Sequence, residues 1–353
     1  MSISPVLPAP IIQRMEAKIA DFASSHEFKT FWLGITLSSA MEEKFGKEER
    51  DKLKTELKRE LGRKLEAAWK KQKRKAVHDD PDIVFTLDFH SLKLRTEIKP
   101  LYIYGRYRKF SREIPQSKWP CVRCGGRGCA HCGGKGAMYE ITVEGLVAEP
   151  LLKATGARET KIHCVGREDV DARMLGTGRP FIIELSHPAK RSVDLGKMAR
   201  EINKKNKKLI SVSRLSFVGK DEVQDVKAAQ PDKKYSVTVE CDTEVTTQNL
   251  KSIRDLAGST ISQRTPERVL HRRGDLERKK KVNSLSVTRI SPSSFLLKLK
   301  VEAGTYVKEF VSGDNGRTKP SVSGVLGCAC TPKDLDVSGV GFQLSARRSQ
   351  RTL

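Results

Sequence analysis

Cys121, Cys124, Cys129 and Cys132 form two consecutive copies of Cys-x-x-Cys-x-Gly-x-Gly. Four thiolates at this spacing can close a tetrahedral metal site. The glycines free the backbone to turn N–H groups toward sulfur. Two disulfides are the ordinary alternative. The other cysteines, Cys164, Cys241, Cys328 and Cys330, stand isolated in the sequence. The N-terminus also lacks the basic-then-apolar pattern of a secretory signal, so disulfides are disfavoured. A four-thiolate iron–sulfur cluster stays open, but structural zinc is the expectation. His131 is placed outside the ligand set.

A second cluster of reactive types spans Gly166 to Phe181. Arg167, Glu168, Asp169, Asp171, Arg173 and Arg179 put three carboxylates and three guanidiniums within thirteen residues. A carboxylate flanked by Arg is held in its charged form. Charge alone reads this as a surface network of ion pairs.

The chain as a whole is basic. Its 353 residues carry 67 Lys and Arg against 43 Asp and Glu, a net +24. That balance favours a polyanionic partner, nucleic acid above all. Aromatic residues are 6% of the chain, which disfavours a single-strand binder built on base stacking. No run of apolar residues is long enough to span a membrane. The length suits about two domains and a small module.

The elements that must position these groups are legible in part. Residues 10–76 read as helical, with Leu53, Leu57, Leu61, Leu65 and Trp69 recurring every four positions. Strands follow at Asp82 to Phe89 and Leu101 to Gly105, which predicts a compact α/β or α+β unit before residue 118. Beyond the cysteines, a helix is expected at Val143 to Leu152, a loop from Gly166 to Pro180 and a strand at Phe181 to Leu185. A basic helix follows at Val193 to Lys208. Strands are expected near Ile210 to Val218 and Tyr235 to Cys241, with two more between Leu285 and Val301. Arg347, Arg348 and Arg351 make a basic tail, expected to be disordered.

Four stretches carry a resemblance. Gly166 to Phe181 resembles motif I of pseudouridine synthases, in which the catalytic Asp follows an Arg by one or two residues. Lys234-Tyr235-Ser236 resembles motif II. Ala303 to Val311, continued by Gly313 to Pro320, resembles motif III. Arg264 to Arg273 resembles a segment special to the tRNA pseudouridine-54/55 synthase family of archaea and eukaryotes. All four occur in that family's order across residues 166–320. The cysteine copies are similar to DnaJ-type chaperone repeats as well, but over about sixteen residues only, with no J-domain.

This resemblance implies an α+β chain: a THUMP-like RNA-binding domain over 1–118, a zinc module over 119–138, and a pseudouridine synthase domain over 139–346 with a mixed, mostly antiparallel sheet. The tail is 347–353. The implied reaction is isomerisation of uridine in the TΨC arm of tRNA, at position 54, 55 or both, without a catalytic cofactor. The implied nucleophile is Asp169, with Asp171 as rival. Attack on the sugar C1′ or on the base stays open. Tyr235 would stack on the target base, and Lys308 would pair with Asp169. The implied substrate contacts are Arg167, Tyr306, Arg268, His271, Arg272, Arg273, Lys279, Lys280, Lys281, Arg317 and Lys319. Lys204, Lys205, Lys207 and Lys208 form a further basic run. For Arg167, pairing to Glu168 is an equal alternative. A cytoplasmic monomer is expected. The competing class is a non-catalytic, zinc-containing RNA-binding or chaperone protein.

Overall fold

The computed structural model describes residues 9–37, 43 and 45–344, apart from the Arg272 side chain. The basic tail lies outside the described residues.

The N-terminal unit holds α1 (Ala9–Ser25), β1 (Thr30–Thr36), α2 (Lys47–Ala68), β2 (Lys75–Ala76), β3 (Ile83–Asp88) and β4 (Lys93–Ile98). Its sheet runs β2-β1-β3-β4, parallel except for the β3–β4 pair. The four-residue spacing forms the buried stripe of α2, and Trp69 closes it at the C-cap. That stripe packs with Ile12, Met15 and Ile19 of α1 onto Phe31, Leu33 and Phe85. The expected continuous helix over 10–76 is broken at β1. There Phe31, Leu33 and Ile35 alternate inward, a period of two rather than 3.6.

The second sheet begins with β5 (Leu101–Lys109) and includes β6 (Glu159–Cys164), β7 (Arg173–Ser186), β8 (Ile210–Val218), β9 (Lys233–Cys241), β10 (Thr260–Arg264), β11 (Glu277–Ser291), β12 (Ser294–Val301), β13 (Thr318–Lys319) and β14 (Cys330–Val340). Its order is β13-β10-β11-β12-β9-β14-β7-β5-β8, with β6 beside β7. Only β14 and β7 run parallel; the other pairs are antiparallel. The chain is thus α+β with a mixed sheet. One core lies between β5, β7, β8 and the helices α3 (Val143–Thr155), α4 (Leu195–Lys205) and α5 (Asp221–Ala228). Another lies under α6 (Thr247–Arg254), α7 (Val307–Ser312) and α8 (Val322–Leu326).

The boundary expected at residue 118 is displaced. β5 is almost wholly buried, between β7 and β8, so the two sheets part between Ile98 and Leu101. Its partners lie more than sixty residues downstream, beyond the reach of local pattern. The cysteine module sits between β5 and α3, closed at its base by a Pro120–Ala137 bridge.

The units meet at Glu27. Its carboxylate accepts from the backbone N–H groups of Arg191 (2.7 Å) and Ser192 (2.9 Å) and from the Ser192 hydroxyl. Arg191 in turn donates to the Lys99 carbonyl, 2.8 Å, and faces Asp82 at 3.4 Å. Among the described residues no helix is long and apolar enough to cross a membrane.

Candidate active site

The acidic loop is shorter than the 166–180 span expected, because β7 starts at Arg173. It turns its carboxylates in opposite directions. Glu168 points inward, its side chain fully buried, and accepts from Arg179 Nε at 2.7 Å and from the Tyr107 hydroxyl at 2.9 Å. Gln116 donates to that hydroxyl, 2.8 Å, and to the Gly166 carbonyl, 3.1 Å. Arg179 also donates to the Val165 carbonyl, 2.6 Å. This closed network satisfies a buried charge pair that would otherwise be costly. Arg167 therefore does not pair with Glu168; its guanidinium lies over the Trp119 ring, 4.7 Å from the centroid.

Asp169 points outward, 40% exposed, and among the described residues both of its cationic contacts reach Oδ2. Arg268 Nη2 is 3.2 Å away and Lys308 Nζ 3.7 Å. Lys308 is closer to Asp171 Oδ2, at 2.6 Å. Burial pushes the Asp171 carboxyl up, but the Lys308 hydrogen bond and charge, helped by Arg268, hold it below its ordinary value. Arg268 is braced from behind by Glu309, whose Oε1 accepts from Nε at 2.6 Å. Glu309 Oε2 is buried with no partner among the described residues.

The loop backbone is pinned by Lys109, a fully buried lysine at the end of β5. Its ammonium donates to three carbonyls: Ile114 at 2.9 Å, Asp169 at 3.2 Å and Val170 at 2.8 Å. Three donors meet three acceptors, as an ammonium requires. Burial lowers this lysine to about 8, opposed by the nearby Glu168 and Asp171 carboxylates. Arg112 fixes the next peptide, donating to the Asp171 carbonyl at 2.9 Å and to Asp336 at 2.8 Å.

Tyr235 stands on β9, across from Leu299 of β12 and Val337 of β14. Burial, with the Glu168 and Asp169 carboxylates nearby, pushes its hydroxyl up to about 12 against the pull of Arg179. Lys233, two residues earlier on the same face of β9, is lowered to about 8 by burial and by Arg179 and Lys280. A side chain at Gly166 would meet its ammonium at 2.7 Å, so Lys233 underlies the acidic loop.

The remaining expected contacts divide. Tyr306 is locked through its backbone: its N–H donates to Gln263 Oε1 and its carbonyl accepts from Gln263 Nε2, each 3.0 Å. Its hydroxyl accepts from Arg273 Nη1 at 2.8 Å. Arg317 is spent within the fold, donating to the Thr265 carbonyl at 2.9 Å and pairing with Asp275. Lys279, Lys280 and Lys281 belong to β11. Lys279 and Lys281 are exposed and Lys280 is half-buried. His271 and Lys319 are exposed. The Arg272 side chain lies outside the described residues.

The four cysteines converge as expected. The 121–129, 124–132 and 129–132 sulfur pairs are each 3.9 Å apart, and all four lie within 4.8 Å of one another. Zn–S bonds of about 2.3 Å in a tetrahedron place sulfurs about 3.8 Å apart, so the arrangement can hold such an ion. The N–H groups of Gly128 and Gly136 point at Cys124 and Cys132 sulfur, both at 3.2 Å. Both glycines have positive φ, and a side chain there would strike the carbonyls of Gly134 and Gly126 at 2.6 and 2.3 Å.

The family model described as Pus10, C-terminal, matches residues 102–341, a span that includes the acidic loop, Tyr235, Arg268 and Lys308. The archaeal Pus10 THUMP domain matches residues 16–88. Among curated relatives, the tRNA pseudouridine synthase Pus10 of Archaeoglobus fulgidus is 35% identical over 329 residues, 93% of this chain and 92% of that protein. That of Methanocaldococcus jannaschii is 44% identical over 259 residues, 73% of this chain. The match spans 56% of the Methanocaldococcus protein's length and 63% of the Methanothrix thermoacetophila one. A solved structure described as a Cbf5-Nop10-Gar1 complex is 17% identical, with a TM-score of 0.38 over 67% of this chain and 49% of that one. With one family model spanning the whole site and a second on the N-terminal unit, this chain belongs to the Pus10 family.

Proposed function

We propose that this chain is a tRNA pseudouridine synthase that isomerises uridine in the TΨC arm, at position 54, 55 or both, with Asp169 as its nucleophile. The observation that carries this reading is the Asp169 carboxylate at the loop surface, its Oδ2 held between Arg268 and Lys308. Those contacts leave Oδ1 to meet a substrate. Asp171 is bound more tightly to Lys308 and is the poorer nucleophile.

The reaction breaks the N1–C1′ bond and forms C5–C1′. The proton lost from C5 is balanced by the one gained at N1, so no redox partner or cofactor is required. The uracil must leave its stack to reach Asp169. Tyr235 stacks on the everted base. With its hydroxyl raised to about 12, it remains protonated at neutral pH and donates a hydrogen bond rather than abstracting the C5 proton.

The net charge of +24 supports a polyanionic substrate. Arg167, Arg273, His271, Lys319 and the exposed Lys279 and Lys281 supply backbone contacts, and the THUMP unit meets the folded tRNA through shape. Zinc in the four-cysteine module is structural, since four thiolates leave no open position. The enzyme acts as a cytoplasmic monomer.

The test is to incubate the protein with an unmodified tRNA transcript and map pseudouridine at single-nucleotide resolution. Conversion confined to position 54, 55 or both supports the reading; no conversion, or conversion elsewhere only, refutes it.

A further inference from the structure

Cys241 lies far along the chain from Cys328 and Cys330, yet the fold gathers all three. Cys241 ends β9, Cys330 begins β14, and the two face each other across the sheet. The Asp242 N–H donates to the Ala329 carbonyl at 3.1 Å, and the Cys330 N–H turns away to the Ser323 hydroxyl at 2.9 Å. The cysteines are thus a non-hydrogen-bonded pair, the kind whose side chains approach most closely. Their sulfurs are 3.3 Å apart. Cys328 lies two residues before Cys330, in the bend that leads into β14. Its sulfur is 4.0 Å from that of Cys330. All three sulfurs lie within 4.8 Å of one another.

We propose that these three thiols form a second metal site, distinct from the four-cysteine module, which takes a thiophilic closed-shell cation, Zn²⁺ or Cu⁺. The observed separations bracket the sulfur spacing of about 3.8 Å that a tetrahedral zinc–thiolate site demands, so binding needs only small side-chain adjustments. Thiolates select soft ions of this class over Mg²⁺ or Ca²⁺. Cys330 is buried, whereas Cys241 and Cys328 are half-buried. Three sulfurs with one partly open side leave a coordination position for water or a further ligand. The site joins the end of β9, the turn after α8 and the start of β14. It therefore staples the edge of the core on which α7, the helix of Lys308, is packed. Ordinary core filling explains a buried Cys330, but does not require three sulfurs to converge at the half-buried margin of that core.

The test uses the full-length protein, reduced and freed of metal, then given Zn²⁺ alone or, anaerobically, Cu⁺ alone. Bound metal is counted, and alkylation of individual cysteines is followed by mass spectrometry. The expected result is one equivalent beyond that held by the four-cysteine module with at least one of the two ions. Alkylation of Cys241 and Cys328 should slow together by tenfold or more, and Cys328→Ser should lose that one equivalent alone. The alkylation arm needs no variant, so a poorly folding Cys328→Ser leaves the test intact. Unchanged alkylation with both ions would overturn the proposal. So would a Cys241–Cys330 disulfide in protein handled without oxidant.

Discussion

The guanidinium of Arg268 bridges two carboxylates, with Nη2 at 3.2 Å from Asp169 Oδ2 and Nε at 2.6 Å from Glu309 Oε1. Among the described residues it is the nearer of the two cations that face Asp169, and it comes from a segment remote in sequence from both the acidic loop and α7. Because Glu309 is buried on α7 and accepts from Nε, Arg268 holds one direction toward Asp169 rather than sampling many.

Arg268 is therefore expected to matter to the chemical step as well as to RNA affinity. A hydrogen bond to a charged group is worth about 1.5–3 kcal/mol, or about 10- to 150-fold in rate. Arg268→Ala should lower single-turnover conversion by that range, and Arg268→Lys should recover it in part only. A variant that weakens tRNA binding but converts bound tRNA at the wild-type rate would confine Arg268 to substrate contact.

Lys109 is fully buried, and it positions the peptide that carries Asp169. Lys109→Met keeps most of the volume but orphans three carbonyl acceptors. The variant should lose conversion by at least tenfold while tRNA binding, measured by filter retention, stays within about twofold. A change in tRNA affinity with an unchanged single-turnover rate would contradict a positioning role.

Glu168 and Arg179 make a buried ion pair closed by Tyr107 and Gln116. Removing one charge leaves the other buried and uncompensated, at a cost of about 3–5 kcal/mol. Glu168→Gln should show this as a lower denaturation midpoint in urea. A midpoint equal to that of the wild type would mean that water reaches Arg179.

The Asp171–Lys308 contact gives a pH signature. The Asp171 carboxyl is depressed in the folded chain, so its contribution to stability is complete above its unfolded value, about 3.9. That contribution is lost as pH falls through the lower folded value. Thermal melts between pH 2.5 and 6 should show wild type losing stability more steeply below about pH 4 than Asp171→Asn. Parallel curves would show that solvent screens the pair completely.

The parts of this site legible from sequence were those in which chemistry and spacing coincide locally. The four cysteines and the leucine stripe from Leu53 to Leu65 are of that kind, whereas the Arg167-Glu168-Asp169 run, which charge alone reads as a surface ion-pair network, stands out only through its resemblance to motif I. What escaped depends on chain separation. Cys241 and Cys330 are neighbours only because β9 and β14 pair, and β5 belongs to the second sheet only because β7 and β8 close on it. Lys109 looks like any lysine at a strand end until the acidic loop folds back over it. Thr30–Thr36 was overridden by the helical pattern on either side, although its own period is two. Arg268 was legible as a cation near RNA but not as the nearer partner of Asp169, since that depends on Glu309 holding it from behind.

Asp169→Asn tests the central claim most directly, since it preserves shape and removes the proposed nucleophile. Single-turnover assays with unmodified tRNA, alongside binding of the same transcript, should give no detectable pseudouridine from the variant and an affinity within about threefold of wild type. Pseudouridine formed by Asp169→Asn at a rate near that of wild type would contradict the account and move the nucleophile elsewhere, with Asp171 the first residue to test.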